Sequence, residues 1–242
     1  MADVAPDGVV RVRARNPSAL TLEGTNTYVA RRWVVDPGPL MEDHLEAVLA
    51  AAAPDGVEGI VLTHGHQDHS EAAPELARRA GGVPVVLPRD DEHVGPFEAI
   101  ATPGHSEDHV ALLVEGGICF TGDTVLGTGS VFIAPGEGSM AAYLDSLRRL
   151  RALDLTAICP GHGPFVDDPQ AKLDEYIEHR LERERRILQA IEGGAKTRDE
   201  VLDRAWTDVD LDAAPFLRDA ARATLDAHLE KLVAEGRVEP SW

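Results

Sequence analysis

The spacing of apolar residues changes along this chain, and each change marks an element. Val9 to Ala14 alternates apolar and polar side chains, and Thr27 to Val35 is mostly apolar; both read as early strands. The second ends at a turn signal, Asp36-Pro37-Gly38-Pro39. Residues 42–53 place Leu45, Val48 and Leu49 at helical spacing. The β-branched run Ile60-Val61-Leu62-Thr63 predicts a buried strand over 58–63, followed by a helix from about Ser70 to Ala80. Short strands are predicted at 83–87, 98–102, 109–114 and 117–122. Ser139 is a good N-cap for a helix over 139–153 that buries Tyr143, Leu144, Leu147 and Leu150. Thr156 to Cys159 forms the last strand of this half. Many short strands alternating with helices predict an α/β sandwich with mixed sheets rather than a simple doubly wound sheet.

From about residue 169 the pattern becomes helical. Leu173, Ile177, Leu181, Leu188 and Ile191 trace one face of a long helix ending at Gly193-Gly194. Thr197-Arg198-Asp199-Glu200 has the form of a capping box for a second helix. A third, over 213–235, carries Leu217, Ala221, Leu225, Leu229 and Leu232 on one side, and Gly236 stops it before a short strand at Val238. Three helices and a strand resemble a winged-helix module. The expected organisation is therefore a sandwich domain over 1–168 and a small helical domain over 169–242. No internal repeat or low-complexity tract is seen.

Composition narrows the class. A chain of 242 residues with 43% hydrophobic content holds one large domain, with or without a small appendage. It contains no apolar run of the roughly 18 residues that a membrane span requires, so no membrane association is expected. Met1 to Asp7 shows no basic-then-apolar signal segment, which places the protein in the cytoplasm as an expectation. Its two cysteines, Cys119 and Cys159, lie in apolar runs and read as small core residues, not a disulfide framework. The net charge is −19, with 20 Arg and only 3 Lys. A field of that sign counts against an extended nucleic-acid footprint. Residues 171–242 agree, with 12 basic and 17 acidic side chains.

The chemistry is concentrated in His64-Gly65-His66-Gln67-Asp68-His69, four potential metal ligands in six residues at the end of a buried strand. Three Gly-rich turns add His105, Asp123 and His162. Neutral imidazole and carboxylate suit zinc, and also iron or manganese. A strand-edge loop points alternate residues at one ion, so His64 and His66 face one metal while Asp68 and His69 face a second. A carboxylate has two oxygens, which makes Asp123 the natural bridge. Seven ligands of this type are enough for two ions.

The set His64-x-His66-x-Asp68-His69, then His105, Asp123 and His162, resembles the complete ligand pattern of the metallo-β-lactamase superfamily over about residues 10–168. The resemblance implies an αβ/βα sandwich with two metals between the sheet ends. His64, His66 and His105 would hold the first ion; Asp68, His69 and His162 the second, with Asp123 bridging. It also implies a supporting role for the aspartate of Asp36-Pro37-Gly38. Gly24-Thr25-Asn26-Thr27-Tyr28, Thr102-Pro103-Gly104-His105-Ser106-Glu107-Asp108-His109 and Tyr176-Ile177-Glu178-His179-Arg180 are similar to the lactamase-β-like subgroup. That subgroup carries a C-terminal winged helix and includes endoribonucleases; glyoxalase II and polyketide thioesterases are near relatives. True two-metal β-lactamases usually carry cysteine at the bridging position, so Asp123 argues against that activity.

The expected function is thus a dinuclear zinc hydrolase of a small ester or thioester. A metal-bridging hydroxide would attack, and Asp68 would orient it and pass its proton to the leaving group. The alternative is a single-strand-selective endoribonuclease with the same metal core. A basic channel at the metals would favour RNA; a narrow apolar pocket would favour an acyl substrate. His109 is a candidate pocket or supporting residue, with a hydrogen-bonded core histidine as the alternative, and the subgroup resemblance makes His179 and Arg180 candidate substrate contacts. Gly127-Thr128-Gly129-Ser130 is expected to border the substrate. His44, His93 and His228 read as solvated surface residues, and Arg180, Arg183, Arg185 and Arg186 as intrahelical partners of Glu178, Glu182 and Glu184. The sequence says nothing of oligomeric state.

Overall fold

A computed structural model describes residues 5–53, 55–213, 215–240 and 242. The signal-segment reading over 1–7 therefore falls partly outside the described residues. Two five-stranded sheets face each other. In the first, β1 (Val9–Arg13), β2 (Asn26–Ala30) and β3 (Trp33–Val35) are antiparallel neighbours, and β4 (Gly59–Val61) and β5 (Val85–Val86) extend the sheet in parallel. In the second, β6 (His93–Val94), β7 (Phe97–Ala101), β8 (Val110–Val114) and β9 (Ile118–Gly122) form an antiparallel meander, with β10 (Ala157–Pro160) parallel to β9.

Strand alternation builds four layers. Tyr28, Trp33, Val35 and Val61 point inward from the first sheet and meet Phe97, Leu112, Phe120 and Cys159 of the second. Their neighbours Val29, Val34, Ile60 and Leu62 point outward, against Leu45 and Val48 of α1 (Glu42–Ala52) and Leu76 of α3 (Ala73–Arg79). On the opposite side Ile100, Ala111, Cys119 and Ile158 pack under Tyr143, Leu144 and Leu147 of α4 (Met140–Arg151). This is the expected αβ/βα sandwich. Both cysteines are free and buried, as read from their apolar runs. Burial pushes the Cys119 thiol up to about 12 and that of Cys159 higher still, so both stay protonated and inert.

The C-terminal helices are α5 (Pro169–Glu192), α6 (Arg198–Ala205) and α7 (Pro215–Ala234). The first half of α5 belongs to the sandwich, through Leu173 and Tyr176, and its second half to a separate core, through Ile187 and Ala190 with Val201, Leu225 and Leu229. Among the described residues no helix is long and apolar enough to cross a membrane.

Several local expectations change. The apolar run 27–35 folds as two strands because Arg31 and Arg32 both take positive φ, 52° and 69°, and reverse the chain. The helix expected from Ser70 begins earlier as α2 (Gln67–Ser70), breaks, and resumes as α3. β6 has no counterpart in the sequence reading. No strand forms at Val238 among the described residues. Thr197 caps α6 as expected, accepting from Glu200 N, but the Glu200 carboxylate reaches Lys196 N, one residue before the cap. His93 is exposed, as read. His44 and His228 are not surface residues: they are 3% and 0% exposed. Acidic neighbours along the chain do not decide which face of a helix turns inward. His44 shares the inner face of α1 with Leu45 and Val48, and its Nε2 donates to the Thr27 hydroxyl at 2.8 Å. Of the arginines on α5, Arg185 and Arg186 pair with Glu182 on the same helix. Arg183 instead reaches Asp208 at 2.9 Å, and Glu184 pairs with Lys231 of α7.

Candidate metal centre and substrate cavity

The site lies where strand ends converge. His64 follows β4, Pro103-Gly104-His105 follows β7, Asp123 follows β9 and Gly161-His162 follows β10. β8 runs antiparallel to β7 and β9, so His109, just before it, comes to the same edge. Polar side chains can stand here because backbone ladders stop and ligand atoms face one another across the gap between sheets.

Hydrogen bonds from outside the site fix four of the imidazoles, those of His64, His69, His105 and His162. Asp36 is held at φ 48° and accepts Thr63 N–H at one carboxylate oxygen; its other oxygen accepts the Thr63 hydroxyl and His69 Nδ1–H, at 2.7 and 2.9 Å. The Thr63 hydroxyl, already donating, accepts from His64 Nδ1–H at 3.0 Å. His105 Nδ1–H donates to the Phe132 carbonyl at 3.0 Å, and His162 Nδ1–H to that of Gly24 at 3.4 Å. Each contact occupies Nδ1 and leaves Nε2 facing inward, which is how outer partners orient metal-binding histidines. Asp36 also lies within ligand distance of His64 and His69, making a third group of three. Its oxygens are already used by Thr63 and His69, so it supports ligands instead.

The inward atoms form two groups. His64, His66 and His105 make one; Asp68, His69 and His162 make the other. His66 Nδ1 and His105 Nε2 are 3.0 Å apart. In the second group Asp123 Oδ1 is 3.4 Å from His69 Nε2 and 3.3 Å from His162 Nε2. Asp68 Oδ2 is 3.5 and 3.3 Å from the same two nitrogens. A tetrahedral site with bonds of about 2.1 Å has ligand–ligand edges of about 3.4 Å. The other Asp123 oxygen, Oδ2, faces His105 Nε2 at 3.7 Å, so this carboxylate spans both groups. His64 Nε2, His69 Nε2 and Asp123 Oδ1 are buried without hydrogen-bond partners among the described residues. Orphaned buried atoms of ligand type, at ligand spacing, fit cations.

Electrostatics agree. Burial holds His64 well below the usual histidine value and lowers His105, so both are neutral and able to ligate. Burial also opposes charge on His69 and His162, but the Asp123 carboxylate overcomes it: His69 is raised well above its ordinary value and His162 to about 9. Burial works against ionised Asp123 too, yet His162 and His69 keep it well below the carboxylate range.

A cavity of about 470 Å³ opens onto these groups. His66, Asp68, His105, Asp123 and His162 form its floor, while His64 and His69 are sealed behind. One wall is the loop 18–22, with Leu20 and Leu22; the other is the segment 126–134, with Leu126, Val131 and Phe132. Thr128, Gly129 and Ser130 line it, as the loop reading placed them. Among the described residues no Lys or Arg lines it.

The profile of the metallo-beta-lactamase superfamily matches residues 20–100 and 86–162. The chain belongs to the metallo-beta-lactamase superfamily. It is 34% identical over 263 residues to the Beta-lactamase-like protein 2 homolog of Caenorhabditis elegans, a match covering 96% of this chain and 86% of that protein. It is 31% identical over 258 residues to the Atrochrysone carboxyl ACP thioesterase of Aspergillus fumigatus, covering 90% and 81%. A metallo-beta-lactamase family protein from Thermus thermophilus shares the fold, with TM-score 0.70, 24% identity and coverage of 95% and 94%. As a member of this superfamily the chain is a metal-dependent hydrolase.

Three sequence candidates do not reach the cavity. His109 lies behind the floor, stacked on His64 with ring centroids 4.7 Å apart. Arg180 is 2% exposed and turns to the back of the 126–134 wall. His179, on the same helix, faces a shallow outer groove, where burial and then Arg180 lower it to about 4. Proximity to His105 marked His109, and a subgroup motif marked His179 and Arg180, but strand and helix direction carry all three past the cavity. Conversely, the sequence reading missed Leu20, Leu22, Val131 and Phe132, whose only signal is loop apolarity. It also missed Asp108, which accepts Gly65 N–H at 2.9 Å and steadies the ligand loop.

Proposed function

We propose that this chain hydrolyses thioesters or small esters with two divalent ions. His64, His66 and His105 would hold one; Asp68, His69 and His162 the other, with Asp123 shared. Residues 1–168 form the hydrolase domain and 169–242 a helical module behind it. One observation carries the reading: ligand atoms at coordination spacing open into a cavity with apolar walls and, among the described residues, no Lys or Arg. A phosphodiester polymer needs cations along its path. An acyl group needs the apolar walls that Leu20, Leu126 and Phe132 provide. The 31% identity to a fungal thioesterase supports the same substrate class.

When bound, the ions supply Lewis-acid polarisation of the carbonyl and a nucleophile at neutral pH. The protein's own residues do the rest. Asp68 lines the floor and is 30% exposed. Burial raises its carboxyl less than His162 and His69 lower it, so it is ionised and able to accept a proton. It takes the proton of the attacking water and delivers it to the departing sulfur or oxygen. Water oxygen bonds to the acyl carbon, the C–S or C–O bond breaks, and a thiol or alcohol leaves with the carboxylate, whose remaining proton passes to solvent.

The test is a panel of model thioesters, lactones, β-lactams and short single-stranded RNA offered to the metal-loaded protein. Thioester turnover is expected, and Asp68→Asn should lose about 10²–10⁴-fold in rate while remaining folded. RNA cleavage abolished by Asp68→Asn, without thioester turnover, would overturn the proposal.

A further inference from the structure

The 126–134 wall is pinned from behind by α5. Tyr176 of α5 accepts Leu126 N–H at its hydroxyl, 3.1 Å away, and donates to the Gly129 carbonyl at 2.9 Å. Arg180, one turn further on, donates through Nη2 to the Val131 carbonyl. Its guanidinium lies over the Tyr143 ring, 5.3 Å from the centroid, and the Tyr143 hydroxyl donates to the Thr124 carbonyl at 2.7 Å. The next carbonyl along the wall, that of Phe132, takes the bond from His105 Nδ1. Consecutive carbonyls thus tie one strip of backbone to α5 on one side and to the candidate metal centre on the other.

Arg180 is an unusual choice for mere packing. It is 2% exposed, it meets a carbonyl and an aromatic face, and its Nε has no hydrogen-bond partner among the described residues. A buried guanidinium held in this way is costly where an apolar side chain would fill the space. Its fork makes a directed bond that an apolar side chain cannot. We propose that Arg180 is a positioning residue that holds the acyl-binding wall at Val131 and Phe132, so that α5 sets substrate selectivity without touching substrate. This rests on the thioester reading above.

The experiment uses full-length, metal-loaded Arg180→Met, Arg180→Lys and Tyr176→Phe. Two readouts are taken: KM and kcat across thioesters of increasing acyl length, and amide hydrogen exchange. Arg180→Met should raise KM for long acyl chains about tenfold, the scale of one lost charge-assisted bond. Acetyl thioester should change little. Exchange over 126–132 should quicken, while 58–63 stays protected. Arg180→Lys keeps a donor and should recover part of both effects; Tyr176→Phe should quicken exchange at Leu126 in particular. Unchanged exchange over 126–132 would overturn the proposal, as would a loss of kcat equal for all acyl lengths. If the wild-type protein hydrolyses no thioester, the substrate reading fails, and the exchange measurement still decides the role of Arg180.

Discussion

His109 accepts a hydrogen bond at Nε2 from the backbone N–H of Asp123, 3.1 Å away. Its Nδ1–H donates to the Thr102 hydroxyl at 2.9 Å. His109 therefore fixes the backbone of Asp123. His109→Leu keeps the bulk but takes a partner from the Asp123 N–H and from the buried Thr102 and Thr124 hydroxyls. Each should cost about 1–3 kcal/mol, read as a lower denaturation midpoint of the chelated protein. Bound metal should fall as well. His109→Gln, which retains an acceptor, should lose less of both.

Gly161 is required by space. A Cβ there would sit 2.5 Å from Asp123 Oδ1 and 2.6 Å from His69 Cε1. Gly161→Ala should therefore lose the ion held by Asp68, His69 and His162 while far-UV circular dichroism stays native. Metal analysis of the purified variant checks this; full stoichiometry would count against the assigned ligands.

Removing metal should abolish turnover and lower stability together. His64 Nε2, His69 Nε2 and Asp123 Oδ1 are left without partners when no ion is present. An ion bound only by the folded state adds about 4 kcal/mol at a free concentration a thousand times its Kd. Calorimetry before and after chelation should show a large drop in Tm, and readdition should restore both Tm and activity.

His228 predicts the acid limb of stability. It is wholly buried in α7, neither ring nitrogen has a hydrogen-bond partner among the described residues, and burial holds it well below the ordinary 6.5. Arg180, Arg183 and His179 on α5 and Lys231 on its own helix also disfavour its charge. Because the folded value is depressed, the unfolded chain binds the extra proton. Its contribution is intact above pH 6.5 and is lost as pH falls towards the folded value. His228→Leu should flatten the stability profile below pH 6.5. It should also stabilise by about 1–3 kcal/mol at neutral pH, since two unpaired polar atoms leave the core. Urea midpoints across pH check both.

The chain's own order of residues was enough for the ligands and the architecture. His64, His66, Asp68 and His69 are local to one loop, and period-2 and period-3.6 patterns depend only on neighbours. Most of the strand and helix order from Val9 to Cys159 was therefore legible, apart from β6, the reversal at Arg31-Arg32 and the break between α2 and α3, and so were the N-caps Ser139 and Thr197. What was not legible depends on which way an element faces. His44 and His228 sit among acidic neighbours yet turn inward, because helix rotation is set by the partner surface. Arg180 sits in a motif that read as substrate contact yet braces a wall carbonyl from behind. The cavity joins a loop at 18–22 to a segment at 126–134, and no local pattern relates positions so far apart in the chain. A candidate ligand set follows from side-chain chemistry and local spacing, so the sequence by itself named it. The shape offered to a substrate is a property of packing between distant segments, and only the tertiary structure decided it.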